Sequence, residues 1–125
     1  MSPFDDLGSS ERLAIWDGVT ARVVAGERSS FVVVELEPGA FVPEHSHDNE
    51  QLGICASGSA TFRVGEETRE LGPGDTWSIP SNIAHEVRVG PDGAVMIETF
   101  TPARSDWSEL ERLAPTSPLW PAAGE

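Results

Sequence analysis

The sequence contains no lysine. All eight of its basic residues are arginine, they face 21 aspartates and glutamates, and the formal net charge over 125 residues is −13. No lysine amine is present to form a Schiff base with a carbonyl substrate. So acidic a chain repels nucleic acid and anionic membranes, and neither is expected as a partner. The acidic residues, among them Asp5, Asp6, Glu35, Glu37, Glu66, Glu67, Glu109 and Glu111, are spread along the chain as a solvated surface. That leaves room for an anionic substrate in a shielded pocket beside a cation. Cysteine is nearly absent: Cys55 stands alone, so an internal disulfide, a CxxC redox motif and a cysteine-rich zinc site are all excluded. As a small apolar residue Cys55 is expected in the core, with the lining of a pocket as the other reading. No apolar run approaches the roughly 20 residues of a bilayer span. The acidic start MSPFDDLGSS lacks the basic region and apolar run of a signal peptide. The expected location is the cytoplasm.

Histidine is scarce too, and its placement is informative. The three histidines are His45, His47 and His85. Two fall in Gly39–Gly58, GAFVPEHSHDNEQLGICASG, and the third in Gly74–Val89, GDTWSIPSNIAHEVRV. His45 and His47 are two apart, so on a strand they share a face. Imidazole is a good ligand for zinc, nickel, iron, copper or manganese. A chain that concentrates its histidine in this way reads as built around one divalent transition metal (Zn, Ni, Fe or Mn). Gln51 keeps the strand parity of the two histidines and Glu50 breaks it, but a turn at Asp48-Asn49 can reset parity, so alternation alone does not choose between them.

Around these segments the pattern is β throughout. VTARVV lies between Gly18 and Gly26, and FVVVEL at 31–36 is almost continuously apolar, which predicts cover on both faces. Strands are also expected at 41–47, 51–57, 60–64, 68–71, 76–79, 86–89 and 94–100, with turn signals roughly every 6–12 residues, many carrying Gly, Pro, Asp or Asn. Eight or more short strands without a helical period before residue 104 predict an all-β barrel or sandwich. The one helix candidate is Ser105–Leu113, SDWSELERL, with Ser105 as its cap. One domain is expected over 1–125, with the barrel core at about 13–103 and a helix and proline-rich tail over 104–125. Trp107 and Trp120 are the expected anchors of that tail.

The two histidine segments resemble the paired motifs of the cupin superfamily. Gly39, His45, His47, Gln51 and Gly58 fall in the register of the first motif, with glutamine where that family has glutamate. Gly74, Pro80, Asn82, His85 and Val89 fall in the register of the second, with Asn82 at a usual glycine and Val89 at a usual asparagine. The resemblance covers residues 39–89 and implies a double-stranded β-helix, or jelly roll, with a metal near its wide mouth. The six-residue gap to Gly58 then favours Gln51 over Glu50, giving His45, His47, Gln51 and His85 as ligands. Such a set is neutral, leaves a divalent ion its full charge and departs from the two-His-one-carboxylate set of oxygenases.

By parity, Met96, Glu98 and Phe100 share one face of the strand 94–100, and either face can look inward. The stretch GAVMIETFTPARSDW resembles the barrel end of the pectin-degradation (KdgF-like) cupins, with glutamate at a usual aspartate. That resemblance implies Glu98 as the proton-transfer group, Phe100 as a wall under a sugar and Arg104 as a partner for its carboxylate. It implies an isomerase acting on a small anionic sugar such as a 4,5-unsaturated uronate, working as a homodimer. Two other readings accompany it: an iron dioxygenase acting on a small organic acid, and a non-catalytic cupin that binds a small molecule or metal. Arg63 is left open between pocket and solvent.

Overall fold

The computed structural model describes residues 2–122, and nearly all of its regular structure is antiparallel β. Nine strands follow in order: β1 (Arg12–Trp16), β2 (Val19–Ala25), β3 (Ser30–Leu36), β4 (Phe41–His45), β5 (Glu50–Val64), β6 (Glu67–Leu71), β7 (Thr76–Ile79), β8 (His85–Thr101) and β9 (Arg112–Leu113). Two of them are long because each serves two sheets. The first half of β5 pairs with β7 and with residues 94–101 of β8, and its second half pairs with β6 and with residues 85–89 of β8. The result is two facing sheets, β9-β1-β2-β3-β8-β5-β7 and β4-β8-β5-β6. This is a jelly roll, and the strands expected separately at 51–57 and 60–64, and at 86–89 and 94–100, are the two halves of β5 and β8.

The corner where β5 changes sheets is a glycine problem. The ladder slips at Cys55–Ser57 and again at Gly58–Ala60. Gly58 has φ +78°, and a Cβ there would lie 2.0 Å from the Gly93 carbonyl oxygen on the neighbouring bend of β8. A left-handed backbone and a backbone-to-backbone approach coincide, and only glycine meets both conditions. Asn82 is a related case at the second motif. It carries φ +64°, the positive value that asparagine tolerates better than most side chains, so it replaces a glycine without losing the turn.

The core lies between the sheets. Val19, Ala21, Val32, Val34, Leu36, Met96 and Phe100 from one meet Val42, Ala60, Phe62, Val87 and Val89 from the other. Cys55 is 1% exposed in this core. Val33 is buried as well, on the opposite face of β3, in keeping with cover on both sides. The cover comes from the chain ends. Arg22, paired with Val33 on the outer face, donates from Nη1 to the carbonyls of Leu7 and Thr116 and from Nη2 to Glu35 and the Thr116 hydroxyl. Glu35 also accepts from the Leu119 amide.

The expected C-terminal helix is much shorter than the sequence implied. Only Asp106–Glu109 turn, as a 3-10 helix, and Ser105 makes no side-chain cap. The backbone that would continue it pairs with β1 instead, through Arg112 and Leu113 and through the Glu111 carbonyl, which accepts from the Ala14 amide. Covering an open sheet edge outweighs the local helical preference. Trp107 packs against the core and Trp120 is half-buried. Arg63 lies on the outer surface, tied to Glu86 and Glu44. No helix among the described residues is long and apolar enough to cross a membrane.

Gly58→Ala is expected to destabilise the fold by roughly 2–5 kcal/mol, combining the left-handed backbone with overpacking. Gly39→Ala, at φ +73° with open space around the new methyl, should cost only about 1–2 kcal/mol. Urea unfolding of the two variants checks this, and equal losses would remove the corner as the reason for Gly58.

Candidate metal centre and cavity

The three histidines arrive from two strand ends and a loop. His45 closes β4 and His85 opens β8, and the two are direct cross-strand partners. His47 follows in the loop, where its carbonyl accepts from the Asn82 amide. One ligand atom from each of the three lies within 4.8 Å of the others. Their orientation follows a single rule. Nδ1 of His45 donates to the Pro43 carbonyl (2.8 Å), that of His47 to Asn49 (2.9 Å) and that of His85 to Ile83 (2.8 Å). A carbonyl only accepts, so each Nδ1 carries the hydrogen and each Nε2 keeps a lone pair.

Burial disfavours the charged form of two of the rings, His85 and His47. It pulls the His85 pKa down to about 4, aided by the charges of His45, His47 and Arg104 and opposed by the Ile83 hydrogen bond. Burial, followed by the Arg104 charge, also lowers His47. Neutral imidazoles with fixed Nδ1–H groups are the form that binds metals.

Two contacts test whether a cation fits here. His85 Nε2 is buried without a hydrogen-bond partner, a cost that native structures rarely leave uncompensated. The Gln51 amide nitrogen donates to Glu98, so its Oε1 is turned to His47 Nε2, 3.1 Å away. With the His47 hydrogen on Nδ1, two acceptors face each other and share no proton. A cation relieves both defects, and the residues fit a divalent metal held by His45, His47 and His85 with Gln51 beside them. Glu50 is exposed on the opposite face of β5, while Gln51 is 6% exposed within the barrel.

Glu98 lies behind Gln51 on β8. Gln51 pairs directly with Phe100 and Gly53 with Glu98, so Gln51 and Glu98 are diagonal neighbours on the inner face. Glu98 Oε2 accepts from the Gln51 amide and from the Trp77 indole N–H at 3.1 Å. Burial raises its pKa to about 7, against those two hydrogen bonds and the Arg104 charge.

Next to Glu98 on the inner face of β8 the lining becomes aromatic and cationic. Phe100 meets His47 and Trp107 edge-on, with ring centroids 5.6 and 5.4 Å apart. The Arg104 guanidinium lies over Phe100 at 4.8 Å and over Trp107 at 4.5 Å. Its Nε and Nη2 grip Asp106 at 2.8 and 2.7 Å, and among the described residues Nη1 makes no hydrogen bond. His45, Gln51, His85, Glu98, Phe100 and Arg104 all line one cavity of about 250 Å³, together with Ile15, Trp16, Trp107 and Leu110. A larger open groove of about 800 Å³ runs beside the C-terminal strap but contains no histidine and none of these six residues.

All seven residues singled out from the sequence therefore gather in one place. Trp16, Trp77 and Asp106 were given no role there. Trp77 left one sign: Gly53, a bare glycine inside a strand, which marks a close approach. Trp16 left none, because its neighbour His45 is brought to it by long-range packing, and Asp106 acts through its local grip on Arg104.

The comparisons agree with this architecture. The cupin domain family matches residues 32–100. The pectin degradation protein KdgF of Dickeya dadantii (strain 3937) is 30% identical over 108 residues, which cover 85% of this chain and 91% of that protein. An RmlC-like cupin from Shewanella frigidimarina NCIMB 400 superposes with a TM-score of 0.78 at 24% identity, over 85% of this chain and 96% of the other. KdgF from Halomonas sp. gives a TM-score of 0.77, also at 24% identity, over 85% and 98%. With a jelly roll, three converging histidines and these relatives, the chain belongs to the cupin family.

Proposed function

We propose that this cupin is a metal-dependent isomerase that opens the ring of a small anionic sugar, such as a 4,5-unsaturated uronate, and converts it to the open-chain keto form. The observation that carries the reading is the buried Glu98 carboxylate beside a three-histidine cluster, with Arg104 lining the same cavity. The relative involved in pectin degradation supports the substrate class. A divalent ion bound by His45, His47, His85 and Gln51 would supply Lewis acidity to substrate oxygens.

The chain's own residues account for the remaining steps. Arg104 offers Nη1 to the substrate carboxylate, and Phe100 and Trp107 present flat surfaces to the ring. Glu98 takes the proton of the anomeric hydroxyl as the ring C–O bond breaks, giving an aldehyde and an enolate. Glu98 then returns the proton to carbon, and the enolate becomes the ketone. Nothing is gained or lost overall, so no oxidant or reductant is required. A carboxyl with a pKa near neutrality is suited to both halves of this exchange.

The cavity also limits the substrate. At about 250 Å³ it lies below the roughly 300–1,000 Å³ of sites for drug-sized ligands, a size suited to a monosaccharide. A homodimer belongs to the same reading: Val24, Phe31, Leu52 and Ile54 are exposed on the outer face of one sheet, where a second copy would cover them.

Metal-loaded protein should consume 4,5-unsaturated monouronates, seen as loss of the ultraviolet absorbance of the conjugated double bond. Oxygen uptake on small organic acids, without that loss, would sink the proposal. Glu98→Gln should lower kcat by about 10²–10⁴-fold while elemental analysis still finds the metal. Arg104→Met should act mainly on KM, raising it about 10- to 100-fold, the range for a lost charge-assisted hydrogen bond. His85→Ala should strip the metal, and chelators should lower the unfolding temperature of wild type but leave this variant unmoved.

A further inference from the structure

The proton-transfer role proposed for Glu98 requires its carboxylate to be held in one orientation, and the structure contains a device that does this. Trp77, Gly53 and Glu98 form one row across β7, β5 and β8: Gly53 pairs with Trp77 on one side and with Glu98 on the other. Two strand spacings, about 10 Å, separate the outer members. The indole spans that distance by lying across Gly53. A Cβ at Gly53 would fall 2.3 Å from Trp77 Cε2 and 2.4 Å from both Cζ2 and Nε1. Phe62, from the facing sheet, packs against the indole with centroids 4.6 Å apart and prevents it from swinging away.

We propose that Trp77 is the positioning residue for Glu98: its N–H, seated over Gly53, ties down Oε2 together with the Gln51 amide and leaves Oε1 as the oxygen that meets the substrate. Both hydrogen bonds to this carboxylate end on Oε2, and Oε1 has no partner among the described residues. An unconstrained carboxylate would rotate between two equivalent oxygens; two donors on one of them select the other. Trp77 touches neither the histidines nor the cavity surface formed by Arg104 and Phe100, so it acts through Glu98. Its other side lines a separate opening of about 390 Å³ with Phe62, Val64 and Leu71, and the ring is the wall between that opening and Glu98. Trp77→Phe removes the donor while keeping most of that wall.

The inference rests on the proposed role of Glu98, and the test separates the two. In Trp77→Phe, kcat should fall about 10- to 100-fold, as expected for loss of a hydrogen bond to a charged group, with metal content and KM close to wild type. Gly53→Ala should act in the same direction by displacing the indole. The double variant should be no worse than Trp77→Phe alone, because Gly53 serves only to seat the ring. Wild-type turnover in Trp77→Phe, or losses that multiply in the double variant, would overturn the proposal. A second arm needs no activity. In ¹⁵N-labelled, zinc-loaded protein, the Trp77 indole N–H resonance, identified by its absence in Trp77→Phe, should move upfield in Glu98→Gln as the charged acceptor is lost. An unmoved resonance overturns the proposal even if uronates are not the substrate. Absence of uronate turnover in wild type with a moving resonance removes the substrate assignment and retains the Trp77–Glu98 link.

Discussion

One side-chain amide joins the two halves of this site. Gln51 gives its nitrogen to Glu98 and turns its oxygen toward His47. An amide can do both because it carries a donor and an acceptor on one rigid plane. A carboxylate at position 51 would offer only acceptors. It would repel Glu98, or force a proton onto one of the pair. Glutamine is therefore compatible with a carboxylate immediately behind the histidine cluster, and it would not reduce the charge of an ion held there.

The barrel makes this arrangement inexpensive. Glu98 is deep in a β-sandwich, where an unpaired carboxylate is strongly disfavoured. Its two donors come from β5 and β7, the consecutive strands next to β8 in the same sheet. Both are delivered by ordinary strand register, with no loop to order. The corner at Gly58 and Gly93 allows β5 and β8 to remain paired through two sheets, so that Gln51, Glu98 and His85 belong to the same two strands although they lie far apart in sequence.

The legible part of this site is the part governed by local rules. Two-residue spacing kept His45 and His47 close, although the expected strand 41–47 ends at His45 and His47 lies in the loop beyond it, and alternation separated Gln51 from Glu50 once a motif supplied the register. Alternation alone did not decide which face of residues 94–100 looks inward; the structure buries Met96, Glu98 and Phe100 within the barrel. The helix at 105–113 was misjudged in length because propensity does not register the open edge of β1, which claims its second half. Arg63 carried no sign of its ion pairs with Glu44 and Glu86, since both partners are brought by other strands. Trp77 was hidden for a similar reason: its role depends on a space in the adjacent strand.

Charge poses the remaining question, because a chain of net charge −13 is an unpromising host for an anion. Long-range attraction is excluded, and at physiological salt fields from surface charges fade within about 8 Å. Recognition must then come from within the cavity. Arg104 is the cation there, yet Asp106 grips it at two points and offsets part of its charge. Such a pair orients the guanidinium more than it attracts an anion. Gln51 is neutral, burial disfavours charge on His47 and His85, and Glu98 is held near the point of losing its charge. An ion at the histidines would therefore be the dominant uncompensated positive charge facing a substrate. Binding of an anion should depend on it as strongly as turnover does, which joins the donor set at one end of Gln51 to the proposed substrate class, and the proposed base at the other end to the proposed reaction.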